Sequence, residues 1–506
     1  MRSICFYFQV HQPFRLRTYR FFDIGENHYY FNDFENSHIM RRIAQRSYLP
    51  MNDLLLKLMK KHGKAFKVSF SITGTALEQF EAYAPEVIES FKKLAATGNV
   101  EFLAETYAHS LSSVKSKTEF KKQVELHSKK IEELFGQKPK VFRNTELIYS
   151  DEIGEMVYDM GYNTMLTEGA RHILGWKSPN YMYCNARNPK LKVLLKNYRL
   201  SDDIAFRFSH HGWPEWPLTA DKFVGWLNDV DAKEEVVNLF MDYETFGEHQ
   251  WQETGIFEFM KALPQRVFSN SNYTFNTPSE LSQQLQPVSA IHVPQPISWA
   301  DEERDLTAWL GNELQDEAFN SLYGLEEKIR QCTDQKILLD WRYLQTSDHF
   351  YYMCTKWFSD GDVHKYFNPY GTPYDAFINF MNVLSDFIIR IDNHLQEQSF
   401  NKLEIEKPYI HVEAVAEKNI KKAIAKKEFS LDAKQIKKII KQVEIKDLYI
   451  YLHNKDVKVS NAYKEQFTKK QKDDFIKFSK GVKNFTKTDI QKAVSIITDL
   501  INSGDE

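Results

Sequence analysis

Cysteine is scarce in this chain of 506 residues, which contains Cys5, Cys184, Cys332 and Cys354 with no paired spacing. Scattered single cysteines argue against a zinc ribbon or a disulfide framework, and they favour a reducing compartment. No apolar run is long enough to span a bilayer, and residues 4–10 form too short an apolar segment for a signal peptide. We therefore expect a cytoplasmic protein with no membrane partner.

Arginine, tryptophan, methionine and cysteine are all missing from residues 401–506. This segment has 23 Lys against 16 Asp and Glu, a net charge of +7, whereas residues 1–400 carry −10. The change in composition predicts a domain boundary near residue 400. Because arginine is favoured for recognising phosphate, its absence argues against a nucleic-acid partner. We expect a separate, Lys-rich and mainly helical C-terminal extension, with apolar residues at helical spacing in residues 432–443 and 488–501.

Short apolar runs that end in polar residues alternate with amphipathic patterns over residues 1–295. The predicted strands are residues 4–10, 65–72, 99–104, 140–142, 163–166, 204–208, 236–241 and 273–276. The predicted helices are residues 48–61, 76–97, 118–135, 150–161, 220–229 and 253–263. This alternation indicates an α/β fold of βα units around a parallel sheet, and about seven repeats fit an incomplete (β/α)7 TIM-like barrel. An open, doubly wound sheet is the alternative, although no Gly-rich phosphate-binding pattern follows the first strand.

Residues 296–400 are rich in aromatic side chains and show helical patterns at residues 306–322, 340–353 and 374–397. We expect a helical domain that packs against the barrel and completes a substrate cleft. The chain is therefore predicted to have three parts: a barrel, residues 1–295; a helical domain, residues 296–400; and the extension, residues 401–506.

Two carboxylates stand at the ends of different predicted strands. Glu146 follows residues 140–142 in the sequence Arg143-Asn144-Thr145-Glu146, and Asp242 follows residues 236–241. Barrel enzymes place catalytic groups at the carboxyl ends of their strands, and a pair of carboxylates suits an acid and a nucleophile. The structural alternative for Glu146 is an ion pair with Arg143, and for Asp242 it is a metal or structural cluster.

Further candidates lie near these strand ends. Glu244 and His249 belong to the pattern Asp-x-Glu-x-Phe-Gly-x-His that begins at Asp242. His11 and Gln12 end the first strand. The remaining candidates, each with an ordinary packing role as its alternative, are Glu101 in a predicted strand, Trp213 in a loop suited to stacking on a sugar ring, and Asp348 on an aromatic helix.

The constellation resembles glycoside hydrolase family 57 over residues 1 to about 400. The family is similar in having His-Gln at the end of the first strand, here His11-Gln12. It has a Gly-x-x-Glu segment, here Gly98 to Glu101, and a Ser-Asp-aromatic helix, here Ser347 to His349. The resemblance implies Glu146 as the nucleophile and Asp242 as the acid/base of a retaining α-glucan enzyme of the α-amylase branch. Pro13 and His349 depart from the pattern of many members.

This resemblance implies hydrolysis of α-1,4-glucans such as starch, glycogen or maltooligosaccharides. We expect no cofactor and no metal, because the candidate ligands do not recur at zinc spacing and a two-carboxylate mechanism has no step that requires one. We expect Arg143 to keep Glu146 ionised, and Glu244 and Glu248 to keep Asp242 protonated. A 4-α-glucanotransferase or a glucan branching enzyme would use the same chemistry. Alternatives of other classes are a metal-dependent deacetylase-like enzyme with His11, Asp242 and His249 as ligands, and a non-catalytic glucan-binding protein.

Overall fold

The computed structural model describes residues 2–356, 367–405, 431–453, 457–481 and 487–502. The chain folds into two compact units, Met1–Phe400 and Asn401–Glu506. The division between residues 295 and 296 that the sequence suggests stays a prediction. Within the described residues, no helix combines the length and apolar character needed to cross a bilayer.

The first unit contains a mixed α/β arrangement of parallel strands connected by helices. Its strands are β1 (Arg2–Val10), β2 (Val68–Ile72), β3 (Val100–Phe102), β4 (Phe142–Arg143), β5 (Thr164–Glu168), β6 (Met182–Asn185), β7 (Lys192–Lys196), β8 (Val236–Asp242), β9 (Tyr273–Phe275) and β10 (Ala290–Ile291). One sheet has the order β3-β2-β1-β8, with β9 also paired to β1, and the other has the order β10-β6-β7-β5-β4. All of these pairs are parallel except β6 with β7.

Backbone hydrogen bonds join the two sheets at two places. Next to the parallel bridge between Ala104 and Phe142, the Arg143 N–H donates to the Ala104 carbonyl at 2.8 Å, so β4 follows β3. On the opposite side, the Asn197 N–H donates to the Asn238 carbonyl at 2.9 Å, so β7 lies beside β8. A small buried cluster between the sheets takes one or two residues each from β1, β5, β6, β7 and β8, including Tyr7, Leu166, Leu194 and Phe240.

The helices of the first unit cover the sheets and form the region after β10. They are α1 (Asp33–Ile43), α2 (Leu49–His62), α3 (Gly74–Tyr83), α4 (Pro85–Ala95), α5 (Lys117–Phe135), α6 (Asp151–Asp159), α7 (Arg171–Leu174), α8 (Tyr198–Ala205), α9 (Ala220–Asp229), α10 (Ile256–Asn270), α11 (Pro278–Gln284), α12 (Glu313–Tyr323), α13 (Glu326–Ile329), α14 (Gln335–Leu344), α15 (Ser347–Tyr351) and α16 (Pro373–Ile405). Amphipathic faces bury apolar side chains against the strands, as Val87, Ile88, Phe91 and Leu94 do on α4.

Two sequence-based predictions of secondary structure within residues 1–295 are wrong. Residues 204–208, predicted as a strand, include the end of α8, which Asn197 caps by accepting from the Leu200 N–H; the strand in this region is β7. The apolar run was misassigned because a buried helix end and a short strand have the same local pattern. Residues 76–97, predicted as one helix, form α3 and α4, which are separated at Ala84 because Pro85 disfavours helical geometry in the residue before it.

The second unit is helical where it is described. Its helices are α17 (Ala433–Gln442), α18 (Ile445–His453), α19 (Val457–Glu465), α20 (Lys469–Gly481) and α21 (Lys487–Asn502). Ile436, Ile439 and Ile440 of α17 are buried in one cluster with Leu448 of α18 and Ile497 of α21. The helical periodicity predicted at residues 432–443 and 488–501 is therefore confirmed.

Candidate active site

Glu146 lies just beyond the end of β4 in a tight turn. Thr145–Leu147 form a 3-10 turn in which Glu146 has φ 54° and Leu147 has φ 53°. A left-handed backbone at residues other than glycine costs on the order of 1–3 kcal/mol each, and such residues concentrate at functional sites. The Trp299 N–H donates to the Glu146 carbonyl at 3.1 Å and holds the turn from outside. The turn thus directs the carboxylate toward the cleft described below.

Both carboxylate oxygens of Glu146 have a hydrogen-bonding partner. Nε2 of His109 lies 3.1 Å from Oε1, and the Trp299 indole N–H donates to Oε2 at 2.5 Å. Glu146 is 8% exposed, so few water molecules compete for these bonds. These two contacts fix the plane of the carboxylate.

Asp242 ends β8 and lines the same cleft as Glu146. Burial, together with the nearby Glu146 carboxylate, raises the pKa of Asp242 to about 6, despite the opposing charges of Arg143 and His109. The expectation that Glu248 keeps Asp242 protonated is wrong, because Glu248 is fully buried in an ion pair with Arg42 at 2.8 Å. Burial and the Glu146 carboxylate are the main causes of the raised pKa of Asp242.

Glu244 lies two residues beyond Asp242 and also lines the cleft. The Tyr48 hydroxyl donates to its Oε1. Burial, followed by the charge of Asp242, raises the pKa of Glu244 to about 8. The cleft therefore holds a second carboxyl group with a raised pKa.

His11 and Asp348 form a pair across the cleft, which brings β1 together with α15. Nε2 of His11 lies 2.9 Å from Oδ2 of Asp348, and Nδ1 lies 3.0 Å from the Thr73 hydroxyl. Burial favours a higher pKa for Asp348. The charge of His11 and its hydrogen bond to Asp348 outweigh this effect and hold the pKa of Asp348 well below its usual range. The next residue, His349, is buried, and this burial lowers its pKa to about 4.

One cleft brings together seven of the ten residues that the sequence proposed. They are His11, Gln12, Glu146, Asp242, Glu244, His249 and Asp348. Residues that sequence reasoning did not propose also line it, among them Gln9, His109, Lys196, Asp202 and Trp299. Lys196 donates to Asp202 at 2.8 Å, and its ammonium lies 5.4 Å from the centre of the Trp299 ring.

Glu101 does not line this cleft. Its carboxylate accepts from the backbone N–H of Ser279 at 2.9 Å and from the Ser279 hydroxyl, in the first turn of α11. Glu101 lies within β3, whereas the catalytic candidates Glu146 and Asp242 lie at or beyond the carboxyl ends of their strands. The proposed sugar contact is therefore replaced by a cap on α11.

Trp213 and Arg143 also lie outside the cleft lining. Trp213 is half-buried and packs edge-on against Trp226, with ring centres 5.9 Å apart. Arg143 is fully buried, and its guanidinium lies 4.0 Å from Glu105 and 4.9 Å from the centre of the Trp299 ring. Its positive charge opposes the rise in the pKa of Asp242.

Glu105, His109 and Trp299 are the site residues that sequence reasoning missed. Glu105 directly follows the predicted strand 99–104, so the rule that selected Glu146 and Asp242 also applies to it. His109 and Trp299 lie in irregular segments, with no local pattern that marks them. The fold brings Trp299 to Glu146 from 153 positions further along the chain.

Comparison with known proteins identifies the family. The sequence model of the family described as Glycosyl hydrolase family 57 matches residues 5–294. This chain belongs to glycosyl hydrolase family 57. A Methanocaldococcus jannaschii protein named "Putative alpha-amylase" is 42% identical over 415 residues, which cover 79% of this chain and 87% of that protein.

Solved structures of family 57 enzymes share the fold of this chain at low sequence identity. The α-amylase AmyC from Thermotoga maritima has a TM-score of 0.54 at 14% identity, covering 80% of this chain and 96% of that chain. The GH57-type branching enzyme from Pyrococcus horikoshii also has a TM-score of 0.54 at 14% identity, covering 70% of this chain and 85% of that chain. Membership of family 57 makes the chain a glycoside hydrolase.

The cleft of this family 57 chain offers acid/base chemistry from two carboxyl groups in different environments. Glu146 is held by hydrogen-bond donors, whereas Asp242 is half-buried and has a raised pKa. Within the described residues, no group of three or more His, Cys, Asp or Glu side chains is arranged to hold a metal ion. His11, one of the ligands of the metal-dependent alternative, instead pairs with Asp348 and Thr73.

Proposed function

We propose that this family 57 enzyme is a retaining hydrolase of α-1,4-glucans, with Glu146 as nucleophile and Asp242 as general acid/base. The observation that carries the proposal is the contrast between the two groups in one cleft. Two hydrogen-bonding partners support the charged form of Glu146, whereas burial favours the protonated form of Asp242. A pair of carboxyl groups with separated pKa values is what double displacement requires.

In the first step, a Glu146 oxygen forms a bond to the anomeric carbon. The bond from that carbon to the glycosidic oxygen breaks, and Asp242 gives its proton to the departing oxygen. In the second step, Asp242 takes a proton from water as the water oxygen bonds to the anomeric carbon. The bond to Glu146 breaks, so Glu146 leaves as a carboxylate and the product retains its α configuration.

We further propose that the strands of the first unit form an incomplete (β/α)7 barrel with the cleft at the carboxyl ends of its strands. The parallel order β1-β2-β3-β4-β5, followed by β7 and β8, supports this architecture. Asp348, Tyr351 and Tyr352 line the cleft from the helical region after the barrel. These residues support a role for residues 296–400 as one wall of the substrate site.

The carboxyl groups of Glu146 and Asp242 should lie about 5–6 Å apart in a crystal structure, as retention requires. A separation of about 9 Å in a closed, ordered site would favour inversion, because a water molecule then fits between substrate and base.

Analysis of the products formed from a linear maltooligosaccharide tests the proposal. We expect shorter α-configured oligosaccharides from the wild type, and no turnover from folded Glu146→Gln. Glu101→Gln is the matched control, because it makes the same change in a carboxylate outside the cleft and should leave the products unchanged. Full activity of Glu146→Gln would refute the assignment of the nucleophile. Longer or branched products would show a transferase or branching enzyme, whose acceptor is a sugar hydroxyl instead of water.

A further inference from the structure

His109 lies between two carboxylates. It is buried in the segment after β3, with φ 53°. Its Nδ1 lies 3.3 Å from Oε2 of Glu105, and its Nε2 lies 3.1 Å from Oε1 of Glu146. An ionised carboxylate only accepts hydrogen bonds, so both ring nitrogens of His109 must carry hydrogen for both bonds to form. The geometry therefore suits an imidazolium cation.

Glu105 is held firmly beneath His109. It is fully buried, and its carboxylate accepts from the Ser71 hydroxyl at 2.7 Å and from the Gln9 amide at 3.1 Å. Burial favours a higher pKa, but the hydrogen bond and charge of His109 outweigh it and lower the pKa of Glu105 to about 2. Glu105 thus supplies a negative charge at a fixed position, and only His109 lies between it and the Glu146 carboxylate.

We infer that Glu105 is a positioning residue that holds His109 as a cation, and that His109 in turn orients Glu146 and stabilises its charged form. The inference rests on the proposed role of Glu146 as nucleophile. With Trp299 on the other oxygen, Glu146 cannot rotate away from the anomeric carbon without losing a charged hydrogen bond. In the second step, the imidazolium also stabilises the carboxylate that Glu146 becomes as it leaves the sugar.

The surroundings of His109 predict what happens without the charge of Glu105. Its charged and titratable neighbours are Glu105, Glu146, Arg143 on β4, His11 directly after β1, Asp242 on β8 and Asp348 on α15. The His11 ring stacks on the His109 ring with centres 4.0 Å apart. Burial alone lowers the pKa of His109, and the hydrogen bonds to Glu105 and Glu146 outweigh it and raise the pKa to about 9. Removing one of these two carboxylates should let His109 lose its proton in the working pH range.

The pH dependence of kcat/KM in Glu105→Gln tests the inference. In the wild type, log kcat/KM should fall with a slope of about −1 above the pKa of Asp242, because one proton is lost. In Glu105→Gln, loss of the second proton from His109 should steepen the slope to about −2 and lower kcat/KM near neutral pH by about 10- to 100-fold. The double variant Glu105→Gln/His109→Gln should return to a slope of about −1, because His109 no longer titrates.

Glu101→Gln is the matched control, because it makes the same change four residues earlier and outside the cleft, and its slope should equal that of the wild type. A purely structural role for Glu105 would lower activity equally at every pH, and that result would overturn the inference. If Glu105→Gln does not fold, His109→Gln decides: we expect kcat to fall by about 10- to 100-fold with a smaller change in KM, and a wild-type kcat would overturn the inference.

The nucleophile itself is tested separately by trapping the glycosyl-enzyme with a 2-deoxy-2-fluoro-glucosyl fluoride substrate and locating the label by mass spectrometry. A label on a residue other than Glu146 refutes the proposed function. A label on Glu146 together with an unchanged slope in Glu105→Gln refutes the positioning role alone.

Discussion

The acid form of Asp242 predicts a specific loss of activity with rising pH. Burial and the Glu146 carboxylate raise the pKa of Asp242 from an ordinary 3.8 to about 6. Because the first step uses the protonated form, the reactive fraction is nearly complete below that value. It falls to about one tenth at pH 7 and about one hundredth at pH 8, which amounts to roughly 1.4 kcal/mol in the barrier for each pH unit.

The assay is kcat/KM across the pH range, measured on a maltooligosaccharide and on an aryl α-maltoside whose leaving group needs no proton. Asp242→Asn should lose nearly all activity on the oligosaccharide. On the aryl substrate Asp242→Asn should keep the first step, and neither it nor the wild type should show the decline near pH 6, because that leaving group needs no proton. Glu244→Gln is the control for the other carboxyl group whose pKa is raised. In this variant the decline in kcat/KM on the oligosaccharide should still occur near pH 6, because Asp242 causes it. A decline that persists in Asp242→Asn, or that starts above about pH 8, would refute this reasoning.

Three further predictions follow from the contacts. Trp299→Phe should lower kcat by about 10- to 100-fold with a smaller effect on KM, because Glu146 loses a charged hydrogen bond; an unchanged kcat would contradict this. At pH 7, Asp242→Asn should raise the free energy of unfolding by up to about 3 kcal/mol in denaturant titrations. The folded-state pKa is raised, so this gain should appear as pH rises from about 4 through 6 and vanish below about 4; a gain that is independent of pH would refute the electrostatic cause. A chain that ends after Ile405 should stay folded and hydrolyse short maltooligosaccharides at close to the full-length rate, and loss of folding by circular dichroism would show that the second unit is needed.

The sequence was sufficient for the site residues that directly end strands. Glu146 and Asp242 could be found because each follows an apolar run, and parallel strands present their carboxyl ends at one edge. Glu101 was misjudged because it lies within its strand, whereas the segment after that strand reaches the cleft at His109.

Contacts between distant segments could not be predicted in this way. Trp299 reaches Glu146 from a loop after β10, and Asp348 reaches His11 from α15. Those pairings depend on how the helical region packs on the strands, which no local periodicity specifies. The raised pKa of Asp242 was predicted in the right direction from the nearby acids Glu244 and Glu248, but its main causes are burial and Glu146, and Glu248 pairs with Arg42.

The most direct test of the central claim is rescue of Glu146→Gly by azide on an aryl α-maltoside. If Glu146 is the nucleophile of a retaining enzyme, azide will enter the space that its carboxylate leaves and attack the anomeric carbon from the same face. The activity lost in the variant should then return with azide concentration, and the product should be the β-configured glycosyl azide by NMR. An absence of rescue in the folded variant, or an α-configured azide product, would contradict the assignment of Glu146.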